Sequence, residues 1–234
     1  MEQGKLYQYE VCPFCWKARV ALALKGVDYE KIEVHPLNKK ELNFSEYKKV
    51  PVYVDAKGEQ VNDSNAIMEH IDQELDGIKL FAPKESPERV RQNKWLEWSE
   101  AYVKAIPPLI YNTTGNAVKA FDYITNVGKF SWFQKMTIKY SGALVMKMVA
   151  KKSREKQGIT DPERHVKDLV GEWQEALAGQ PFMGGSTPDA ADAAVFGITL
   201  STKGLPAWEL FESEPGFKAW MTRMSEQSKI PLDH

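Results

Sequence analysis

The first eighty residues alternate between short strand-like runs and longer helix-forming runs. Apolar and polar positions alternate at residues 6–9 and 29–34, and the runs 50–54 and 60–62 flank a turn at 55–58. Such period-two alternation is typical of β-strands. Good helix formers follow the first strand, residues 38–49 are polar and helix-capable, and an amphipathic helix is predicted from about 65 to 75. The order predicts a β-α-β-α-β-β-α unit whose first crossover joins parallel strands.

Beyond a proline-rich segment, the pattern becomes helical, and we find no convincing strand. The predicted helical segments are 88–113, 116–156, 162–177, 190–201, 207–211 and 215–228. We expect Pro107-Pro108 to kink or interrupt the first of them. The segment after Asp189 is nearly all apolar and begins with an acidic capping pattern that includes Asp192, so it should be a buried central helix. These patterns predict an α/β domain at 1–82, a linker at 83–87 and an all-α domain at 88–234.

Composition narrows the classes of function. The formal net charge of the 234 residues is -1, which gives no electrostatic case for binding nucleic acid. No stretch reaches the roughly 18 uninterrupted apolar residues of a membrane-spanning helix. The chain has two cysteines, both in one motif, which fits a reducing compartment. We therefore expect a cytoplasmic protein, with peripheral membrane association as the alternative.

The candidate chemistry lies in the C-P-F-C motif at residues 12–15, between the first strand and the first helix. A cysteine at a helix N-terminus is stabilised as thiolate by unpaired backbone N–H groups and by the helix dipole. Lys17 and Arg19 add positive charge nearby. Cys12 is therefore the candidate nucleophile and Cys15 its sheltered partner. A zinc site is not expected because no second Cys/His pair follows at metal spacing, and nothing marks secretion, which disfavours a structural disulfide.

This order of elements, with C-x-x-C after the first strand and Val50-Pro51 before the third, resembles the thioredoxin/glutaredoxin fold. The resemblance implies a cis bond before Pro51. Asp63-Ser64 opens the next helix, and alone such a pair is usually a helix cap. Following the other two features, it becomes a candidate site for the γ-glutamyl end of glutathione, because a helix N-terminus can hold a carboxylate.

With its all-helical second domain, the chain resembles the glutathione S-transferase architecture. Segments 6–15, 44–51 and 60–64 are similar to the membrane-associated prostaglandin E synthase type 2 family. That resemblance implies binding of glutathione, binding of haem with it, and isomerisation of prostaglandin H to prostaglandin E. The resemblance implies that Cys12 is the glutathione-facing or catalytic thiol. It implies that Tyr9 and Phe14 are pocket walls, with Tyr9 donating a hydrogen bond to the Cys12 sulfur. It also implies that Val50 (before Pro51) pairs with the glutathione backbone and that Asp63 and Ser64 hold the γ-glutamyl end.

Two other functions stay open beside a glutathione-dependent transferase or isomerase with a small hydrophobic second substrate. The intact Cys12/Cys15 pair motivates a glutaredoxin-like thiol–disulfide oxidoreductase. The third is a non-enzymatic glutathione–haem binding protein, in which His165 is the candidate iron ligand, although a lone histidine there is more often a surface residue. The basic amphipathic stretch 130–152 has three interpretations: peripheral membrane contact, a bundle helix, or the interface of a homodimer, which we expect from the family.

Overall fold

The computed structural model describes residues 3–36, 38–111, 113, 115, 117–118, 120 and 132–233. Its sheet contains four strands: β1 (Gly4–Gln8), β2 (Tyr29–Glu33), β3 (Val52–Val54) and β4 (Gln60–Asn62). Their spatial order is β2-β1-β3-β4. β1 pairs with β2 in parallel, whereas β1–β3 and β3–β4 are antiparallel. The four strands and the parallel first crossover predicted from the hydrophobic pattern are confirmed.

Eight α-helices are described. They are α1 (Pro13–Leu24), α2 (Ser64–Glu74), α3 (Pro87–Ile110), α4 (Trp132–Gln157), α5 (Pro162–Leu177), α6 (Ala190–Leu200), α7 (Trp208–Glu212) and α8 (Pro215–Ser228). α1 and α2 accompany the sheet, and the other six follow it in the chain. This architecture agrees with a thioredoxin-like unit followed by an all-α unit.

The polar stretch 38–49 forms only one 3₁₀ turn, Lys40–Leu42, where the sequence suggested a longer helix. Side chains here bond to the backbone of their own segment. The Ser45 hydroxyl donates to the Tyr47 carbonyl at 3.2 Å, and the Lys48 ammonium donates to the Leu42 carbonyl at 2.8 Å. Such local bonds compete with helical pairing, which explains why the helix propensity of the segment is not realised.

We expected the two prolines in α3 to kink or interrupt the helix, but they do not interrupt it. The helix runs through Pro107 and Pro108 and ends at Ile110, after which the Tyr111 N–H donates to the Pro107 carbonyl at 2.9 Å. The apolar residues around the prolines, including Ile106 and Ile110, are buried. Tertiary packing of this last turn therefore outweighs the two missing backbone donors.

α6 is the buried centre of the molecule, as its apolar sequence predicted. All eleven of its residues are buried, and it packs against α1 of the sheet-containing unit. The closest approach is at Gly197, where an added Cβ would lie 2.7 Å from the Trp16 carbonyl carbon and 2.7 Å from the Lys17 nitrogen. Only glycine permits this backbone contact, which fixes the position of the helix that carries the cysteines.

The predicted acidic pattern at the start of α6 forms a complete capping box. The Asp189 side chain accepts from the Ala191 and Asp192 amides at 2.8 and 3.1 Å. The Asp192 side chain accepts from the amides of Asp189, Met183 and Gly184 and from the Trp220 indole, at 2.9 to 3.1 Å. These hydrogen bonds satisfy the buried carboxyl oxygens but offset burial only in part: burial, followed by the charge of Asp189, still raises the pKa of Asp192 to about 7.

The segment before α3 is held by Gln92. Its amide nitrogen donates to the Leu80 carbonyl at 2.9 Å and to Asp189 at 3.1 Å, and its oxygen accepts from the Ala82 amide at 2.9 Å. The Leu80 carbonyl also accepts from the Ala190 amide at 2.9 Å. This network joins the end of the sheet-containing unit to the start of α6. The proposed domain boundary at 82 stays a prediction.

α4 carries an exposed apolar face formed by Leu144, Val145, Met148 and Val149. Phe130 and residue 131 of the basic amphipathic stretch 130–152 lie outside the described residues. Within the described ranges, every helix is too short or too polar to span a bilayer. Membrane contact and a homodimer interface at this stretch stay predictions.

Candidate functional site

Cys12 lies at the N-cap position of α1 and is followed by Pro13 at the first helical position. Its backbone is extended (φ -84°, ψ 120°), no side chain caps the helix, and the first turn contains no acidic residue. The Cys12 N–H donates to the Tyr9 carbonyl at 3.1 Å, which closes the turn between β1 and α1. Cys12 is partly exposed and Cys15 is fully buried. The first turn of α1 therefore has no carboxylate that competes with the partly exposed Cys12 sulfur for its backbone N–H groups.

The two thiols have opposite acidities. A hydrogen bond from the Cys15 thiol, with further bonds from the Cys15 and Phe14 amides, lowers the pKa of Cys12 against the opposing effects of burial and of the Glu33 charge. Burial, followed by the hydrogen bond to Cys12, raises the pKa of Cys15 well above its usual value. Cys12 is therefore the sulfur that ionises first, and Cys15 remains a thiol that can donate to it.

The two cations expected near the thiol are paired with carboxylates. The Arg19 guanidinium bonds to Glu10 at 2.8 Å and lies 3.4 Å from the centre of the Trp16 ring. The Lys17 ammonium is fully buried and bonds to Glu100 at 3.3 Å. The hydrogen bonds at the N-terminus of α1 therefore dominate the lowering of the Cys12 pKa, ahead of these side-chain cations.

Tyr9 and Phe14 lie within three residues of Cys12 in the chain, and their implied role as pocket walls stays a prediction. Tyr9 packs with Val50 against a small core of the sheet unit, and Phe14 is 36% exposed. Burial, followed by the charges of Cys12 and Cys15, raises the pKa of Tyr9 to about 12. The Tyr9 phenol therefore stays protonated near neutral pH, which suits a hydrogen-bond donor.

The second predicted feature, the Val50-Pro51 peptide bond, is cis. Tyr47, which sequence reasoning did not single out, packs on the same small core as Val50. Burial raises the pKa of Tyr47, and the charges of Asp63 and then Cys12 raise it further. Its phenol consequently lies within electrostatic reach of both the thiol and the start of α2. A tyrosine in a polar segment carries no local signal for this position.

Asp63 caps α2, which is the usual structural role of an aspartate before a helix. Its Oδ1 accepts from the Asn65 amide at 2.9 Å and from the Ala66 amide at 3.4 Å, while the side chain stays exposed. Asp63 has φ 73° and ψ 136°, which non-glycine residues rarely adopt, and Ser64 behind it is buried. Backbone conformations of this kind are found preferentially at ligand clamps.

One group of side chains in the described ranges has the composition of a metal site. Ligand atoms of Asp55, Glu59 and His70 lie within 4.8 Å of one another. Asp55 already accepts from the Lys57 and Glu59 amides at 2.8 Å and contacts His70 at 3.2 Å. These bonds brace the turn between β3 and β4 against α2, so hairpin geometry accounts for the cluster.

Comparison with known proteins agrees with this architecture. The family model described as "Glutathione S-transferase, N-terminal domain" matches residues 6–78. The chain is 30% identical over 266 residues to Prostaglandin E synthase 2 of Mus musculus, covering 95% of this chain and 69% of that protein. The Danio rerio protein of the same name is 29% identical over 268 residues, covering 96% and 71%.

Solved structures share the fold. A glutathione S-transferase from Rhodospirillum rubrum F11 superposes with a TM-score of 0.67 at 19% identity, covering 98% of this chain and 91% of that one. The expected glutathione S-transferase-like architecture is confirmed. Together with the relatives that match nearly its whole length, this shows that the chain belongs to the prostaglandin E synthase 2 family of the glutathione S-transferase superfamily, a group of glutathione-dependent transferases and isomerases.

Proposed function

We propose that this protein binds glutathione between Cys12 and the Asp63-Ser64 start of α2, and uses the Cys12 thiolate in a transferase or isomerase reaction on a small hydrophobic second substrate. The observation that carries the proposal is the position of Cys12 at the N-cap of α1, where the first turn has no acidic residue and where hydrogen bonds from the Cys15 thiol and from the Cys15 and Phe14 amides lower the pKa of Cys12. Burial raises the pKa of Tyr47, and the charges of Asp63 and then Cys12 raise it further, which supports one continuous slot between these two residues.

The two ends of the slot suit different parts of the tripeptide. The N-terminus of the eleven-residue helix α2 offers Ser64 for the α-carboxylate of the γ-glutamyl group. The exposed Asp63 carboxylate suits the ammonium beside it. The Val50 backbone, next to Tyr9 and Tyr47, would pair with the central cysteine of glutathione and bring its sulfur to Cys12.

For an endoperoxide substrate, the residues support a redox-neutral isomerisation. The Cys12 thiolate attacks one oxygen, the weak O–O bond breaks, and the released alkoxide takes a proton that the Tyr9 phenol helps to deliver. Loss of the proton on the carbon bearing the sulfur-bound oxygen then forms the ketone and expels the thiolate. The raised pKa of Tyr9, about 12, keeps that donor protonated before the step.

A thiol–disulfide oxidoreductase is the second candidate, and the hydrogen bond between Cys15 and Cys12 favours it. In this reaction, the Cys12 thiolate attacks a glutathione mixed disulfide and releases the substrate as a thiol. Either Cys15 or a second glutathione then displaces glutathione from Cys12. The low acidity of Cys15 disfavours the first route, because the displacing sulfur must be a thiolate.

Haem stays outside the proposed function because no described contact identifies an iron ligand. His165 lies in the first turn of α5, where its amide donates to the Asp161 carbonyl at 3.0 Å, and His70 is engaged with Asp55. Cytoplasmic localisation and a homodimer remain part of our proposal for the protein as a whole.

Titration calorimetry with glutathione tests the binding site. Ser64→Ala should weaken binding by about tenfold, because the change removes a hydrogen bond to a charged group. Ser86→Ala is the matched control: Ser86 caps α3 through the Arg89 amide at 3.1 Å, so its loss costs about 1 kcal/mol of stability without touching the slot. Equal affinity of the Ser64 variant and wild type would contradict the assigned site.

The reaction class is tested with Cys12→Ser and Cys15→Ala. Cys12→Ser should abolish turnover in both candidate reactions. Cys15→Ala should retain isomerase or transferase turnover. If this variant also still reduces a glutathione mixed disulfide, the result supports an oxidoreductase that uses a second glutathione instead of Cys15. Full activity of Cys12→Ser in either assay would remove this thiol from the mechanism.

A further inference from the structure

Glu33, the last residue of β2, holds the turn that carries the thiol. The register of β1 and β2 places it opposite Gln8, the last residue of β1. Its Oε1 accepts from the Glu10 amide at 2.9 Å, and its Oε2 accepts from the Gln8 side-chain nitrogen at 3.3 Å. Glu10 lies two residues before Cys12, in the turn between β1 and α1. One carboxylate therefore joins the second strand to the backbone that leads into the reacting sulfur.

The side chain of Glu10 brings a second carboxylate to the same place. The Gln8 side-chain nitrogen lies 3.1 Å from Glu10 Oε2 and 3.3 Å from Glu33 Oε2, so one amide group donates to both carboxylates. The Arg19 guanidinium bonds to Glu10 at 2.8 Å. Burial raises the pKa of Glu33 and the Glu10 charge adds to this effect, while the two hydrogen bonds and the Arg19 charge favour the carboxylate form. With two carboxylates and one guanidinium, the cluster is negative, and a thiolate at Cys12 adds further negative charge near it.

The charge of Glu33 acts on three ionisable groups of the thiol site. For Cys12, the hydrogen bond from the Cys15 thiol lowers the pKa most, and burial and then the Glu33 charge oppose it. For Cys15 and Tyr9, burial raises the pKa most, and the Glu33 charge acts in the same direction. The carboxylate that holds the turn thus also disfavours the thiolate that the turn presents.

We propose that Glu33 is a positioning residue for the reacting sulfur: one carboxyl oxygen fixes the turn before Cys12, and the negative charge restrains ionisation of the thiol. A thiolate becomes a weaker nucleophile as its pKa falls, and the fastest attacking thiol has a pKa near the ambient pH. Glu33 therefore keeps Cys12 strongly nucleophilic once it is ionised. The inference rests on the proposed role of Cys12 as the reacting sulfur and does not depend on which ligand the site binds.

The test is the pH profile of Cys12 alkylation by iodoacetamide, an uncharged reagent, followed by mass spectrometry of the full chain after digestion. Glu33→Gln keeps an oxygen that can accept from the Glu10 amide and removes the charge. The midpoint of the profile should move to lower pH by about 0.5. Alkylation should be about 1.8-fold faster well below the midpoint and about 1.8-fold slower on the alkaline plateau, because the more acidic thiolate is the weaker nucleophile. A merely structural role predicts no such crossing of the two profiles.

Two further variants separate the charge from the hydrogen bond. Glu30→Gln makes the same change of charge on the same strand, at a side chain that pairs with Lys5 at 3.7 Å on the surface, and its alkylation profile should match that of wild type. Glu33→Ala removes the acceptor of the Glu10 amide as well as the charge. Its thermal unfolding midpoint should lie about 2–4 °C below that of Glu33→Gln, because the bond to the turn is lost.

Three results would overturn the inference. They are a Glu33→Gln profile that stays in place or moves to higher pH, an equal displacement in Glu30→Gln, and equal unfolding midpoints for Glu33→Gln and Glu33→Ala. In each case glutathione binding by the wild-type protein is untouched, so the proposed function survives. A wild-type protein that binds no glutathione overturns the proposed function and leaves the alkylation profiles as they are, so the two failures are distinguishable.

Discussion

The starts of α1 and α6 show how one chain treats two helix N-termini in different ways. The two helices pack against each other at Gly197, yet their first turns have opposite chemistry. α6 begins with a capping box in which Asp189 and Asp192 occupy the backbone N–H groups. α1 begins at Cys12 with no side-chain cap and no acidic residue in its first turn.

Because unpaired N–H groups at a helix start attract negative charge, the difference separates structure from chemistry. At α6 the protein supplies its own carboxylates, both buried, and the helix is stabilised but closed to ligands. At α1 the same groups remain available to a sulfur anion, which lowers the pKa of Cys12. The first turn of α6 therefore contributes to stability, whereas the first turn of α1 contributes to the reactivity of Cys12.

The largest expected effect is on the capping box at the first turn of α6. Asp192→Ala removes the acceptor of three amides and of the Trp220 indole, all in a buried environment. We expect the free energy of unfolding to fall by about 3–5 kcal/mol, because buried donors left without partners are costly. Urea denaturation measures it. The exposed acid Glu209 serves as control, and Glu209→Ala should stay within about 0.5 kcal/mol of wild type. Similar stabilities for the two variants would mean that the capping box is dispensable.

A smaller effect is expected where the two helices touch. Gly197→Ala places a Cβ 2.7 Å from the backbone of α1, and the resulting displacement should cost about 1–3 kcal/mol. At Gly171, inside α5, an added Cβ would have no atom within 4 Å apart from its chain neighbours and the adjacent backbone of its own helix. Gly171→Ala should therefore stabilise the protein by about 0.5–1 kcal/mol through helix propensity. The same sign for both variants in thermal or urea unfolding would show that the close contact does not hold α1.

The smallest effect on stability, and the most specific one, is expected at the first turn of α1, where Cys12 lies. The hydrogen bond from the Cys15 thiol is the largest cause of the lowered Cys12 pKa, so Cys15→Ala should raise that pKa. The pH profile of alkylation by iodoacetamide should then shift to higher pH, because the thiolate is the reacting species. In Cys12→Ala, the remaining Cys15 should react slowly and only under alkaline conditions, since burial raises its pKa. An unshifted profile in Cys15→Ala would assign the acidity of Cys12 to the backbone alone.

Features with a local signal were predictable from the sequence. Alternating runs indicated the four strands, the acidic pattern at Asp189 and Asp192 indicated a capping box, and the C-x-x-C motif between strand and helix indicated the thiol site. Each of these depends on residues within a few positions of one another, where backbone geometry alone relates sequence to structure.

Features that depend on tertiary contacts were not predictable. Lys17 was expected to add charge to the thiol site, but its partner Glu100 lies 83 residues away in the sequence. Tyr47 follows a segment with only one 3₁₀ turn and packs with Val50 on the small core of the sheet unit, where burial and then the charges of Asp63 and Cys12 raise its pKa. No spacing rule connects such residues, so the composition of the site beyond its motifs required the fold.

The hydrogen bonds of Gln92 have a consequence for the joint between the two units of the chain. A linker without such bonds would let the two units rotate relative to each other. Here Gln92 ties the backbone at Leu80 and Ala82 to the first turn of α6. Rotation of one unit against the other would break these hydrogen bonds, so the orientation of the two units is fixed when the polypeptide folds.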